Sequence, residues 1–177
     1  MPTLSRHTIG VMGSGRDAHE ALAADVGKLL AELEVNLLTG GGGGVMRAVS
    51  RAFVQARRGA GVCIGVIPCR EHDPALPPDG YPNEYVELAI RTHLPYSGER
   101  GQDPLSRNHV NVLSSDAVVA LPGQAGTLSE VALALRYKKP VIVFAPQNDL
   151  SPIVPAAVGR ATNIDDVRRF VMAHLAT

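Results

Sequence analysis

Three segments of this sequence place glycines where an anion could be held. Gly13-Ser14-Gly15, the run Gly40-Gly41-Gly42-Gly43-Gly44, and Pro122-Gly123-Gln124-Ala125-Gly126-Thr127 each follow an apolar run and precede a stretch of helical periodicity. Glycine permits positive φ and close approach of backbone to a ligand. A helix N-terminus adds unsatisfied N–H groups and a partial positive charge. Together these favour a phosphate. The third segment is the most informative. Thr127 offers a hydroxyl and an N–H at a helix opening, and Glu130 lies three residues on along nearly the same face. Two readings of Glu130 stay open. It closes a capping box with Thr127, or it meets ribose hydroxyls or activates water. Any one glycine loop could equally be a tight turn or a close helix–strand contact. Three at one sheet edge are more specific.

The elements that must position these loops alternate along the chain. Apolar runs predict strands at 8–12, 35–39, 62–67, 85–90, 117–121 and 140–144. Helical periodicity predicts helices at 17–34, 45–58, 105–114, 126–137, 152–158 and 164–175, the last with Asn163 as N-cap. The nearly continuous apolar character of 62–67 suits a parallel strand buried on both faces. The proline-rich stretch 68–85 and the polar stretch 94–104 read as long connections of the kind that carry function. Repeated strand–helix units predict an α/β fold: one Rossmann-like domain over residues 1–177, with a doubly wound parallel sheet. In such sheets ligands bind outside the carboxyl ends of the strands.

Composition narrows the function. Seventeen Lys plus Arg balance seventeen Asp plus Glu, and Trp is absent. That leaves no electrostatic footprint or stacking platform for nucleic acid, and none for an anionic membrane. No apolar run approaches the roughly 20 residues of a membrane helix. Residues 1–7 have no apolar core of a signal peptide, so a cytoplasmic location is expected. Cys63 and Cys69 suggest neither a disulfide framework nor a metal site, and no metal is expected. The first loop lacks a third glycine in register, and no acidic residue ends the second strand, so NAD binding is disfavoured. There is no Walker-type Gly-Lys-Ser/Thr.

The segment Pro122 to Glu130 resembles the PGGxGTxxE motif of the LOG (LONELY GUY) proteins. Gly40 to Met46, Gly65-Val66-Ile67-Pro68 and Ser106-Arg107-Asn108 are similar to further segments of that family, in order, over roughly residues 8 to 145. The stretch 130–141 is closer to a sister branch that includes the molybdenum cofactor carrier proteins. The resemblance implies a phosphoribohydrolase, which cuts the N-glycosidic bond of AMP or a cytokinin-type nucleotide and needs no cofactor. Carried over by motif, Arg107 and Glu130 are the catalytic pair. Gly13, Ser14, Gly41, Gly42, Gly43, Gly44, Met46, Pro122, Gly123, Gln124, Ala125, Gly126 and Thr127 hold the nucleotide and its phosphate. The alternative is a non-catalytic carrier of a nucleotide or of the molybdenum cofactor. The partner in either case is a small molecule, and a homo-oligomer, dimer or tetramer, is implied. Two departures bear on substrate range: Gln124 replaces the motif's second glycine, and Asn108 stands where the plant-type enzymes carry Lys. Tyr81, Tyr85 and Arg91 are further candidates for a base pocket.

Overall fold

The computed structural model describes residues 6–145 and 154–175. Seven parallel strands form one sheet: β1 (Thr8–Met12), β2 (Asn36–Thr39), β3 (Cys63–Ile67), β4 (Leu88–Arg91), β5 (Ala117–Ala120), β6 (Val141–Phe144) and β7 (Gly159–Ala161). Their order is β4-β3-β2-β1-β5-β6-β7. The chain therefore builds outward from β1 in one direction, then returns to its other side at β5. This reversal opens a crevice between the ends of β1 and β5. The expected Rossmann-like α/β architecture is present.

Five α-helices lie among the described residues: α1 (Glu20–Glu32), α2 (Gly44–Ala56), α3 (Asn108–Leu113), α4 (Ala125–Arg136) and α5 (Ile164–Leu175). Alternate strand residues feed two cores. Ile9, Val11, Leu37 and Val119 join Val26, Leu30, Val49, Phe53 and Val167 from α1, α2 and α5. Met12, Leu38, Val118 and Ala120 join Val112, Val131 and Leu133 from α3 and α4. Burial of one such Leu or Val side chain contributes about 1.5–3 kcal/mol.

Several boundaries differ from expectation. Helix α1 begins at Glu20 rather than 17, because Ser14 Oγ accepts the N–H groups of Arg16 (3.2 Å) and Asp17 (2.9 Å) and holds them in a turn. Helix α3 begins at Asn108 rather than 105. There Asp103 Oδ1 accepts the Leu105 N–H (2.9 Å) and Ser106 Oγ accepts that of Asn108 (3.2 Å). These are side-chain bonds that compete with helix. The fourth strand is 88–91, since Asn83 Oδ1 draws the N–H of Tyr85 into a turn at 3.1 Å. Of the helix expected at 152–158, residues 152 and 153 lie outside the described residues, and 154–158 form turns. Strand β7 follows instead. Helix α5 begins at Ile164 as expected, with Asn163 Oδ1 accepting the Asp166 N–H at 2.9 Å.

Candidate functional site

A cleft of about 410 Å³ opens at the carboxyl ends of β1 and β5. That volume is within the range of small-molecule sites. The first and third glycine loops form its two sides. Ser14 ties them together: its N–H donates to Pro122 O (3.0 Å), and its carbonyl accepts the Val45 N–H (2.8 Å). The main chain and hydroxyl of Ser14 are thus committed to the frame, although Gly13 and Ser14 both line the cleft.

The run Gly40 to Gly44 packs closely against neighbouring loops. Gly41, Gly42, Gly43 and Gly44 do not line the cleft, whereas Gly40 and Met46 do. Gly44 has φ +57°, and a Cβ there would lie 2.3 Å from Ser14 O. A Cβ on Gly42 would strike the Tyr81 ring at 2.6 Å. The carbonyls of Gly41 and Gly42 accept the backbone N–H and side-chain amide of Asn83, at 2.8 and 2.9 Å. These glycines let loops pack backbone to backbone. Gly44→Ala is expected to lower stability by about 2 kcal/mol or more, through positive φ and the clash with Ser14. Denaturant unfolding would measure it.

At the third loop, Gln124, Ala125, Gly126 and Thr127 line the cleft, while Pro122 and Gly123 do not. Gly123 is the floor beneath Thr127, for a Cβ on it would meet the Thr127 hydroxyl at 2.0 Å. No side chain caps α4 at its N-terminus. Its first N–H groups are therefore available to a ligand. Thr127 Oγ1 is buried and has no partner.

Arg107 and Glu130 line the same cleft. Arg107 immediately precedes α3 and is only 4% exposed. Its Nε and Nη1 have no hydrogen-bond partner, and its guanidinium lies against Gly40, where a Cβ would come within 2.0 Å of Nη1. Arg107 is thus buried rather than on the surface, and its charge acts on the Glu130 carboxyl. A buried guanidinium with unmet donors is costly, and an anion would satisfy it.

Glu130 is 7% exposed and accepts a 2.8 Å hydrogen bond from Asn111 Nδ2 on α3. Thr127 is the third residue of α4, not its N-cap, so the two do not form a capping box. Burial raises the Glu130 carboxyl above the usual carboxylate range, and the Arg107 charge and the Asn111 bond oppose that only in part. Asn111 is the supporting residue that spacing did not single out; it becomes visible only when α3 packs on α4.

Other candidates fall on both sides. Tyr81 lines the cleft; Tyr85 and Arg91 do not. Arg16, Ser97, Gly98 and Glu99 line it as well, from connections whose path the sequence pattern does not give, and so does Asn108 at the start of α3. Asn108 Nδ2 donates to Ser129 Oγ (3.0 Å), which donates to Gly126 O (2.7 Å), so this residue braces the third glycine loop. His109 lies outside the cleft. Its ring bridges the Tyr137 hydroxyl (2.6 Å) and the Asp103 carbonyl (3.0 Å). Among the described residues, no group of three or more His, Cys, Asp or Glu could hold a metal ion. Cys63 and Cys69 are free and buried, and burial pushes the Cys63 thiol up to about 11. No helix among the described residues is long and apolar enough to cross a membrane.

Residues 6–170 match the SLOG cluster4 family. An uncharacterized protein of Archaeoglobus fulgidus is 33% identical over 140 residues, covering 78% of this chain and 80% of that protein. Among solved structures, the molybdenum cofactor binding protein from the phototrophic bacterium Rippkaea orientalis superposes with a TM-score of 0.75. It is 31% identical, over 97% of this chain and 98% of that one. The Moco carrier protein of Chlamydomonas reinhardtii gives a TM-score of 0.74 at 31% identity, with the same coverage.

Proposed function

This chain belongs to the SLOG cluster4 family, and we propose that it is a binding and carrier protein for a phosphate-bearing small molecule, with the molybdenum cofactor as its cargo. One observation carries the reading: the unpartnered Arg107 donors and Thr127 hydroxyl are buried beside an uncapped helix N-terminus. Such an arrangement is built to receive a phosphate. The similarity to cofactor-binding and carrier proteins over nearly the whole chain supports that cargo. The cargo would be held by its phosphate, at the Arg107 donors and the Thr127 hydroxyl. Mass spectrometry of ligand carried through purification tests this. A pterin or its oxidation product is expected. A purine mononucleotide in its place would overturn the cargo assignment.

A second reading is favoured by one further feature, the desolvated Glu130 carboxyl in the same cleft as Arg107. A carboxylate there would stabilise the positive charge that builds on ribose as an N-glycosidic bond breaks, or orient the attacking water. The activity would be phosphoribohydrolase, releasing base and ribose 5-phosphate without a cofactor. Release of free base from AMP or cytokinin nucleotides is its test.

Self-association, to a dimer or tetramer, and a cytoplasmic location belong to either reading. Leu113 on α3 and Leu135 on the adjoining α4 are exposed apolar side chains that an interface would cover. Light scattering on the purified protein is expected to give a mass at least twice that of the chain. A monomer would remove this part of the proposal.

A further inference from the structure

The cleft has a buried end and an open mouth. Arg107, Thr127 and Glu130 occupy the buried end. Arg16 and Glu99 are exposed, line the same cleft, and have no side-chain hydrogen bond or ion pair among the described residues. Tyr81 lines the cleft too, with its ring against Gly42 of the glycine run.

Glu99 is held there by construction. It sits in a one-turn 3-10 helix, Gly98–Arg100, that crosses the start of α4. A Cβ on Gly126 would lie 3.3 Å from Gly98 Cα. Gly101 packs so closely on Ser129 and Asn108 that a Cβ would come within 1.9 Å of Ser129 Oγ. The Asn108–Ser129–Gly126 hydrogen bonds fix that floor.

An ionised carboxylate only accepts hydrogen bonds, and it repels the phosphate that this cleft is suited to hold. Its presence at the mouth makes sense if the ligand turns N–H donors toward it. A guanidinium nearby supplies the opposite, donors alone. We propose that Glu99 and Arg16 read a fused-ring ligand through a 2-amino-4-oxo edge, the edge that pterins and guanine share. The two adjacent N–H donors go to Glu99 and the carbonyl oxygen to Arg16, while Tyr81 offers its ring face. An adenine edge presents an acceptor where Glu99 needs a donor and is rejected. This assignment rests on the phosphate-binding reading of the buried end.

The test is a set of equilibrium binding measurements on the wild-type protein and Glu99→Ala. The probes are GMP, IMP and AMP, then pterin against lumazine, which lacks the 2-amino group, and ribose 5-phosphate, which lacks a ring. Wild type is expected to bind GMP at least about tenfold tighter than AMP, with IMP between, or pterin tenfold tighter than lumazine; which pair responds identifies the source of the ring. Glu99→Ala is expected to bring the responding pair within about twofold. Ribose 5-phosphate should bind the variant as tightly or tighter, because a negative charge has left an anion site; a merely misfolded variant would weaken it. Equal affinities within both pairs in the wild type, or an unchanged preference in Glu99→Ala, would overturn the inference while leaving the phosphate site intact. Failure of the wild type to bind ribose 5-phosphate or any ring probe would overturn the phosphate reading and this inference with it.

Discussion

Arg107→Ala is expected to weaken binding of a phosphate-bearing ligand by about two orders of magnitude, while the ligand-free protein loses little stability. The first half follows from burial. A guanidinium 4% exposed, with Nε and Nη1 unpartnered, gains charge-assisted hydrogen bonds when an anion arrives, in a setting that screens them poorly. Truncating one partner of such a desolvated pair commonly costs about 2–5 kcal/mol of binding. The second half follows from the same unmet donors. Without ligand they are a desolvation cost, so their removal relieves the folded state. Two effects oppose that relief. The lost side chain leaves a void against Gly40, and Glu130 loses the positive charge that moderates its own burial. Arg107→Lys is not expected to restore affinity, because a single ammonium cannot reproduce the planar set of donors. Calorimetric titration with ribose 5-phosphate, paired with denaturant unfolding, measures both halves. Undiminished affinity in Arg107→Ala would remove Arg107 from the anion site.

How much of this was legible in the sequence depended on the kind of interaction. Strands such as Cys63–Ile67 and Ala117–Ala120 are continuous apolar runs, because both faces of a central parallel strand are covered. Strand β7 carries Gly159 and Arg160, both exposed, and so has no apolar signal. Helices start later than their periodicity predicts where one polar side chain bends the backbone, as Ser14 and Ser106 do. Arg107, Glu130 and Gln124 to Thr127, which share the cleft lining, sit in short segments whose residue types and order are distinctive. The glycine run is plain in the sequence, but the loops it packs against are not. The same freedom that lets backbone approach a ligand lets it approach other backbone, and Gly44 against Ser14 is the second case. Tyr81 and Glu99 reach the cleft from long connections whose course is set by distant anchors. Asn83 on the carbonyls of Gly41 and Gly42 is one such anchor, and no local pattern encodes it.

Glu130→Gln is expected to separate the two functional readings and to stabilise the protein as it does so. Gln keeps the shape and keeps an oxygen for the Asn111 amide, which now donates at 2.8 Å to Glu130. What it removes is an ionisable group in a dry site. Burial raises the Glu130 carboxyl above its ordinary value, so the folded state holds a proton that the unfolded chain has released. Where the folded state binds more protons, stability falls as pH rises. Below the ordinary carboxylate range both states are protonated, and wild type and variant should unfold alike. Through that range and up to the raised folded value, wild-type stability declines and the variant's does not. At neutral pH the variant should be ahead by about 0.5–2 kcal/mol, the usual gain when a group kept for function is relieved. A constant difference at every pH would mean that Glu130 is not the titrating group. The functional arms then diverge. If the cleft only binds, removing a potential negative charge leaves phosphate affinity unchanged or improved. If it cuts an N-glycosidic bond, free base release falls by a hundredfold or more while binding persists, because the carboxylate acts on charge that develops only in the transition state. One substitution, followed by unfolding, titration and base release, thus states whether the burial of Glu130 serves a reaction or only shapes a cradle.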